Sequence, residues 1–421
     1  MSIIITERKT ETVLNKMALH AYNETAYYRE LFDENSDENG IDANKIITLG
    51  DLSPIPLLTK DELQKDEGRF LAEQYWNFPY NEKLLLKRAV CSTGHLMKAY
   101  WNSDDDILSK ELVDKLRSKW HGIEPTAKMC SFHGTLYRGN MLIPNEDRIV
   151  SEHGRHLSFS VVNLTDERIE NCFADMADFG VVWLTLSPSV AIILAEAVKR
   201  CQIQIPPKLR YIELTDEFVN EEHRRDIKDA FQLEPVYLYR TGETNPIAFE
   251  CTHKSLHVLE DLVVVETIKD GSSVFAESGN IHVTSLTNRA MPLMRYEVGG
   301  IGKLTHTLCS CGENALILDL SSGLPCEFYL SDSLQKISGT VMISIIEQTN
   351  EHMSRPISKF RITQVQPGEF DVELTLKPAY ENWQESIKTE FLANIPDSAL
   401  LQARWNFSFN ISNSHMNIIS R

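Results

Sequence analysis

Pro235-Val-Tyr-Leu-Tyr239, broken at once by Arg240-Thr-Gly-Glu-Thr244, is the stretch on which the reading of this chain turns. A short apolar run rich in β-branched and aromatic residues reads as a strand, and the polar, glycine-containing pentapeptide after it reads as a turn. In an open α/β sheet, ligands bind beyond the carboxyl ends of strands, where loops leave the sheet while its core still positions them. The stretch therefore predicts a functional loop at Tyr239 to Glu243, set against the plainer alternative of an ordinary exposed turn.

Upstream, the pattern supports such a sheet. Helix-like Glu167 to Asp178 leads to a strand at Val181-Val-Trp-Leu-Thr-Leu186, and Ser187 with Pro188 is placed to open a helix running to Cys201. A strand at Arg210-Tyr-Ile-Glu-Leu214, a helix over Glu217 to Phe231 and the strand Val236 to Tyr239 follow. Strands alternating with helices at these lengths predict a parallel α/β sheet with right-handed crossovers. Cys130-Ser-Phe-His-Gly-Thr-Leu-Tyr137 reads as another strand running into a turn.

Downstream lie four soft donors: Cys251 and His257, then Cys309-Ser-Cys311-Gly312. Thiolate sulfur and imidazole nitrogen suit tetrahedral zinc, and two close pairs from distant segments let one ion cross-link a loop to a later turn. His253 is an alternative ligand to His257, and unpaired thiols with a surface histidine are the plainer reading, because Cys-x-Cys is tighter than the spacing usual in zinc sites.

Composition bounds the partners. The chain has 421 residues, 42% hydrophobic and 24% charged, which fits a globular protein of more than one domain. A formal charge of −18 argues against nucleic-acid and anionic-membrane partners. Met1-Ser-Ile-Ile-Ile-Thr-Glu-Arg8 lacks the apolar length of a secretory signal, and the longest apolar window, Phe179 to Val198, is interrupted by Ser187-Pro188-Ser189. Eight cysteines in a chain of this length are too sparse for a disulfide framework, so a reducing cytoplasm is expected.

Apolar positions at helical spacing run from Val13 through Met17, Ala21 and Tyr27 to Tyr28-Arg-Glu-Leu-Phe32. Leu52-Ser-Pro-Ile-Pro-Leu-Leu-Thr-Lys60 then forbids a helix until Thr59 can cap one starting at Lys60. Beyond Pro325 come a helix over Gly339 to Gln348, strands Phe360 to Val365 and Phe370 to Leu376, a helix over Glu381 to Asn394 and a strand Ala403 to Ile411.

The order Tyr239-x-x-x-Glu243, Glu250-Cys251, Leu256-His257, Glu260-Asp261, Pro292-Leu-Met-Arg-Tyr296 and Cys309-Ser-Cys-Gly312 resembles the phenylacetate–coenzyme A ligase and coenzyme F390 synthetase branch of the adenylate-forming enzymes. The likeness extends in weaker form over most of the chain. It implies an α/β fold: a large N-terminal adenylate-forming domain over residues 1–325 with parallel sheets and helices, and a small C-terminal α+β lid over 326–421.

The resemblance also assigns roles. Glu243 matches the residue that holds magnesium, with Thr241 nearby and Tyr239 and Arg295 among the residues on the nucleotide side. The family's phosphate loop falls on Arg88 to Tyr100, where Ser92, Thr93, Gly94 and Lys98 are kept while His95, Leu96 and Met97 replace two hydroxyl residues and a glycine. Its acyl pocket falls near His133 and Tyr137. Three further positions depart: Leu214-Thr-Asp-Glu217 replaces a Gly-Gly-Glu-like adenine turn, Gly300 stands where an aspartate accepts the ribose hydroxyls, and Asn410-Ile-Ser-Asn-Ser-His-Met-Asn417 offers no lysine.

The implied reaction is ATP-dependent activation of a small carboxylic acid through an acyl-adenylate, then transfer to a thiol or amine such as coenzyme A or an acyl carrier protein. The altered loops keep two alternatives open: an ATP-independent acyltransferase on an acyl thioester, using Cys91, His95 or His133, and a non-catalytic binding partner.

Overall fold

The computed structural model describes residues 2–34, 42–46, 48–76, 83–90, 96–138, 141–143, 146–151, 153–323, 327–395 and 400–411. The described residues divide between two compact units. The first draws on Met1–Ala89, Met97–Gly122 and Leu238–Gly323, the second on Val90–Leu96, Ile123–Tyr237 and Leu324–Arg421.

In the second unit, strands Met129–His133, His156–Ser160, Trp183–Leu186 and Tyr211–Thr215 form the expected parallel sheet. The helices between them follow from local sequence. Thr165 accepts a hydrogen bond from the Arg168 amide to open Asp166–Phe179, and Gly180 closes that helix in the left-handed region with φ of 75°. Asn220 caps Glu221–Phe231, so this helix starts four residues later than the sequence suggested.

Pro188–Cys201 is apolar on nearly every side, and ten of its residues are buried. Ser187 holds the cap position, yet its hydroxyl makes no cap bond and lies 3.2 Å from Ser189 Oγ. The anion that serves this helix start is Glu217, whose carboxylate accepts from Ser189 N and Ser189 Oγ, each at 2.8 Å.

The C-terminal segment belongs to this same unit. Strands Ile357–Gln366 and Glu369–Leu376 pair antiparallel, and Arg404–Ile411 adds parallel to the second. Phe370, Val372, Leu374 and Leu376 alternate onto one buried face, and Ile387 and Phe391 are buried as well. The expected helix over 381–394 is instead a 3-10 segment, Pro378–Trp383, that kinks into the helix Gln384–Ala393. Helix Gly339–His352 approaches so closely that a Cβ on Gly134 would sit 2.7 Å from the Thr340 carbonyl oxygen. Ser344 Oγ donates to Gly134 O at 2.8 Å, and Ser189 Oγ lies 2.8 Å from Ser338 Oγ.

Strand Pro235–Thr241 has Tyr211–Thr215 as its neighbour on one side, and on its other side the sheet of the first unit runs antiparallel. Pro235–Thr241 turns straight back into Asn245–Glu250, with Thr241 opposite Asn245. Residues 242–244 alone join the two strands, and a parallel crossover needs a dozen or more. The sheet continues through Leu256–Val258, Ile317–Ser322, Tyr296–Thr305, Ser278–Ser285 and Val263–Lys269.

Both N-terminal motifs converge on the start of the 296–305 strand. Tyr28 Oη accepts from the Met294 amide at 2.7 Å. Leu58 donates to Arg295 O at 3.0 Å and accepts from Glu297 N at 2.9 Å, adding one parallel bridge opposite Tyr296. Thr59 then caps Lys60–Lys65 through the Glu62 amide, as the sequence predicted. No helix among the described residues is long and apolar enough to cross a membrane.

Candidate functional site

The hairpin turn after Thr241 carries the principal acid. Glu243 is 4% exposed, and one carboxylate oxygen accepts from the Tyr296 hydroxyl at 2.8 Å. Thr241 Oγ1 lies 2.9 Å from Thr244 Oγ1 and accepts from the Thr244 amide, which closes the turn. Tyr239 is buried beneath it; burial, reinforced by the negative charge of Glu243, raises its phenol pKa.

Lys87, Trp101, Asp106 and Asn245 hold this turn from the other side, and the sequence reading passed over all four. Asn245, at a φ of 60°, accepts from Lys87 Nζ through Oδ1 and donates through Nδ2 to Asp106 Oδ1 at 3.1 Å. Trp101 Nε1 donates to Gly242 O at 3.3 Å, and its ring lies 4.9 Å beneath the Lys87 ammonium. Burial, against the pull of Asp106, lowers the Lys87 pKa to about 8. Against its own burial, Asp106 is held down at about 2 by Lys87 and Lys110. The available signal was thin. Asp104-Asp105-Asp106 reads as an acidic first turn complementing a helix dipole, although Asp105 in fact pairs with Arg289 and Asp106 with Lys87.

Arg295 has a different set of partners from the one its expected nucleotide role suggests. Its guanidinium pairs with Glu266 through Nε and Nη2, both at 3.1 Å, and donates through Nη1 to Ser53 O at 3.1 Å and Ile55 O at 2.7 Å. These bonds bind the Pro-Ile-Pro segment to the sheet. Gly300 packs so tightly that a Cβ there would lie 3.0 Å from Ser322 O and 3.2 Å from the Tyr239 hydroxyl. Lys98 lies on the strand Leu96–Asn102, half-buried, with its amide donating to Glu67 Oε1 at 3.0 Å. Ser92, Thr93, Gly94, Cys91 and His95 lie outside the described residues, as do 412–417 of the terminal motif.

The four soft donors come together. Cys251, His257, Cys309 and Cys311 place one ligand atom each within 4.8 Å of one another. Cys251 Sγ lies 3.7 Å from Cys309 Sγ, and His257 Nε2 lies 3.2 Å from Cys311 Sγ. Tight turns aim two of the sulfurs, with the His253 amide donating to Cys251 Sγ at 3.4 Å and the Glu313 amide to Cys311 Sγ at 3.5 Å. The open choice between the histidines is resolved for His257, because His253 is exposed and its ring meets Thr252 instead. Three thiols and an imidazole, mostly buried, are a donor set that fits zinc. His257 Nδ1 is buried with no hydrogen-bond partner among the described residues. Trp120 packs its ring 5.7 Å from that of His257, so the helix Ser103–His121 ends against the cluster.

In the second unit, His133 is exposed at the end of its strand and sits 2.7 Å from the buried Ser131 hydroxyl. Ser131 Oγ is also 2.7 Å from His156 Nε2. One hydroxyl has one proton, so it donates to one imidazole and accepts from the other; burial lowers the His156 pKa. Tyr137 begins the short strand Tyr137–Arg138, and its side chain lies outside the described residues.

No family model matches the chain. The phenylacetate–coenzyme A ligase of Thermus thermophilus is 24% identical over 314 residues, a match spanning 72% of this chain and 66% of that protein's length. Crystal structures of 2-hydroxyisobutyryl-CoA ligase share the fold: the complex with 2-HIB-AMP and CoA in the thioesterification state has a TM-score of 0.60 at 14% identity, covering 98% of this chain and 88% of that one. The postadenylation complex with 2-HIB-AMP also scores 0.60, covering 96% and 86%. These structures share the α/β architecture described above. In sequence the chain is similar to that phenylacetate–coenzyme A ligase, and in fold to 2-hydroxyisobutyryl-CoA ligase.

Proposed function

We propose that the chain is an acyl-activating ligase. A carboxylate oxygen of a small acid attacks the α-phosphorus of ATP, the bond to the bridging oxygen breaks, and pyrophosphate leaves an acyl-adenylate. The thiol of coenzyme A then attacks the acyl carbon, loses its proton, and expels AMP. This second acceptor is the one the named relatives share.

The observation that carries the reading is Glu243, a buried carboxylate fixed at a tight hairpin turn by Tyr296. A hard oxygen donor of this kind suits magnesium, which retains several waters and takes one or two carboxylates together with substrate phosphates. Bound there, the ion would neutralise charge on the phosphates. The protein's part is to hold the carboxylate still, so that little reorganisation is needed during reaction. Thr241 closes the turn, and Lys98 adds a cation on the strand after the phosphate-loop segment. The four Cys/His donors hold a structural zinc ion. Residues 326–421 form the lid and 1–325 the large domain; the C-terminal segment has a three-stranded sheet of its own, although it groups with residues 123–237 in one compact unit. The resemblance assigns His133 and Tyr137 to the acyl pocket.

Calorimetry and thermal shift with Mg-ATP, on the wild type and on Glu243→Ala, test the reading without knowledge of the acid. Saturable binding that weakens at least tenfold in the variant is expected, and ligand at a hundred times Kd should stabilise the wild type by about 2.7 kcal/mol. A screen of carboxylates for pyrophosphate release then identifies the substrate. No binding at millimolar ATP overturns the reading and leaves ATP-free acyl transfer or a binding role.

A further inference from the structure

We propose that Lys87, acting through Asn245 and Asp106, is a positioning residue for the Gly242-Glu243-Thr244 turn and sets the affinity of the Glu243 carboxylate for a divalent cation. The inference rests on the ligase reading and deepens it by naming a residue that the nucleotide-side motifs do not include.

The geometry is specific. Asn245 follows the turn in a left-handed conformation that few non-glycine residues adopt, and Asn is favoured there because its side chain bonds locally. Here both ends of that amide are used: Oδ1 takes the Lys87 ammonium and Nδ2 reaches Asp106. Lys87 itself is anchored on three sides, by Asp106, by Asn245 and by the Trp101 face, while Trp101 Nε1 fixes the Gly242 carbonyl. The turn is thus clamped at its first residue by Trp101 and just past its last by Lys87. Between those clamps, Glu243 has no freedom to swing as a surface acid would.

A purely structural ion pair does not need this arrangement. Asp106 already has a second cation, since Lys110 Nζ lies 2.7 Å from its other oxygen. Lys87 is therefore not required to neutralise Asp106, and its added contact is with the turn. The charged groups facing it are Asp106 and Lys110 from the 103–121 helix and Arg240 from the 235–241 strand. The two cations disfavour the ammonium and the carboxylate favours it, so on raising the pH Lys87 is the member of this group that loses its proton first. Neutral Lys87 keeps one donor for Asn245 but loses its charge-assisted grip.

The test compares Mg-ATP and metal-free ATP binding by calorimetry on the wild type, Lys87→Met, Asn245→Gly and the double variant. Asn245→Gly keeps the left-handed backbone accessible while removing the amide, and Lys110 still pairs Asp106 in Lys87→Met, so each variant can be checked for a wild-type melting profile. The expected result is a roughly tenfold loss of Mg-ATP affinity in either single variant, no change in metal-free ATP binding, and no further loss in the double variant. Wild-type Mg-ATP affinity should also fall severalfold from pH 7 to pH 9.5, a step absent from Lys87→Met. Affinities within twofold of wild type in both singles, or losses that add in the double, overturn the proposal while leaving the ligase reading standing. A wild type that binds no Mg-ATP overturns both, and does so before any variant is compared. If Lys87→Met fails to fold, the Asn245→Gly comparison decides alone by the same thresholds.

Discussion

The Cys/His cluster and the Glu243 hairpin lie in one continuous stretch of chain and solve opposite problems. In the cluster, four soft donors face one another across less than 5 Å, with weak N–H···S contacts and the Ser255 hydroxyl, 3.4 Å from Cys309 Sγ, beside them. Against burial, hydrogen bonds led by the Cys311 amide lower the Cys309 thiol to about 6, while Cys311 is pushed up to about 12. In the hairpin, by contrast, Tyr296, Trp101, Asn245 and Lys87 already fix the carboxylate and its turn. The difference teaches that the first region is a donor set that an ion would complete, whereas the second is held by its own neighbours.

Metal removal should therefore give the largest effect. Structural zinc in small domains contributes about 10–16 kcal/mol of apparent binding free energy, and although a larger protein limits the loss to the local unit, several kcal/mol should go. Protein purified without chelator should carry about one equivalent of zinc, and Cys251→Ser or prolonged chelation should lower the melting temperature and open the 251–257 and 309–313 segments to hydrogen exchange. Less than about half an equivalent, with an unchanged melting curve on chelation, would break the comparison at its root.

Arg295 offers the next test, because it separates a bolt from a nucleotide contact. Removing one partner of a buried pair costs about 3–5 kcal/mol, and the Arg295–Glu266 pair is only 5% and 8% exposed at the two side chains. Arg295→Met should lose stability on that scale in chemical denaturation, with Glu266→Leu added to it recovering part of the loss. A variant of native stability with weakened nucleotide binding would instead make Arg295 a ligand-side residue.

How much of this was legible in the sequence depends on how many uses a residue type has. Three cysteines and a histidine in two close pairs have few joint uses besides metal, so the cluster could be named from residue type although the Cys-x-Cys spacing is tighter than usual; only the choice of His257 over His253 needed the exposure of the latter. The alternation of strand and helix from 165 to 231 was legible for the same reason, since apolar runs and caps such as Thr165 act locally. Arg295, Asp106 and Lys87 were not legible, because an arginine, an aspartate or a lysine is equally at home on a ligand, a helix end or an ion pair. Their partners lie as far as 242 residues away in sequence. The antiparallel continuation beyond Tyr239 was not legible for a related reason: a strand's apolar pattern does not reveal whether its neighbour runs with it or against it, and only the brevity of residues 242–244 held the answer.

Tyr296→Phe probes the hairpin directly. A hydrogen bond to a charged group is worth about 1.5–3 kcal/mol, and Tyr296 is fully buried against a nearly buried Glu243. Loss of the hydroxyl should destabilise the protein within that range and weaken Mg-ATP binding by a smaller factor than Glu243→Ala does. If binding falls as far as in Glu243→Ala while stability is untouched, the hydroxyl serves the ligand rather than the turn, and the contrast between a preformed hairpin and an ion-dependent cluster loses force.

The smallest effect concerns Gly300, where the resemblance expects an aspartate for the ribose. A Cβ at this position meets a backbone oxygen at 3.0 Å and the Tyr239 hydroxyl at 3.2 Å, so its neighbours must give by a few tenths of an ångström. The hydroxyl can move with its ring, whereas the Ser322 carbonyl belongs to the sheet. Gly300→Ala should therefore cost about 1–3 kcal/mol, because the φ of 158° strains any residue with a Cβ as well as crowding it, and Gly300→Asp should cost at least as much without tightening Mg-ATP binding. Tighter binding in Gly300→Asp, measured by the same calorimetry, would mean that the strand can relax to accept the family's acceptor. The hairpin region would then be a ligand-shaped site that lost one residue, not a scaffold repacked around the glycine.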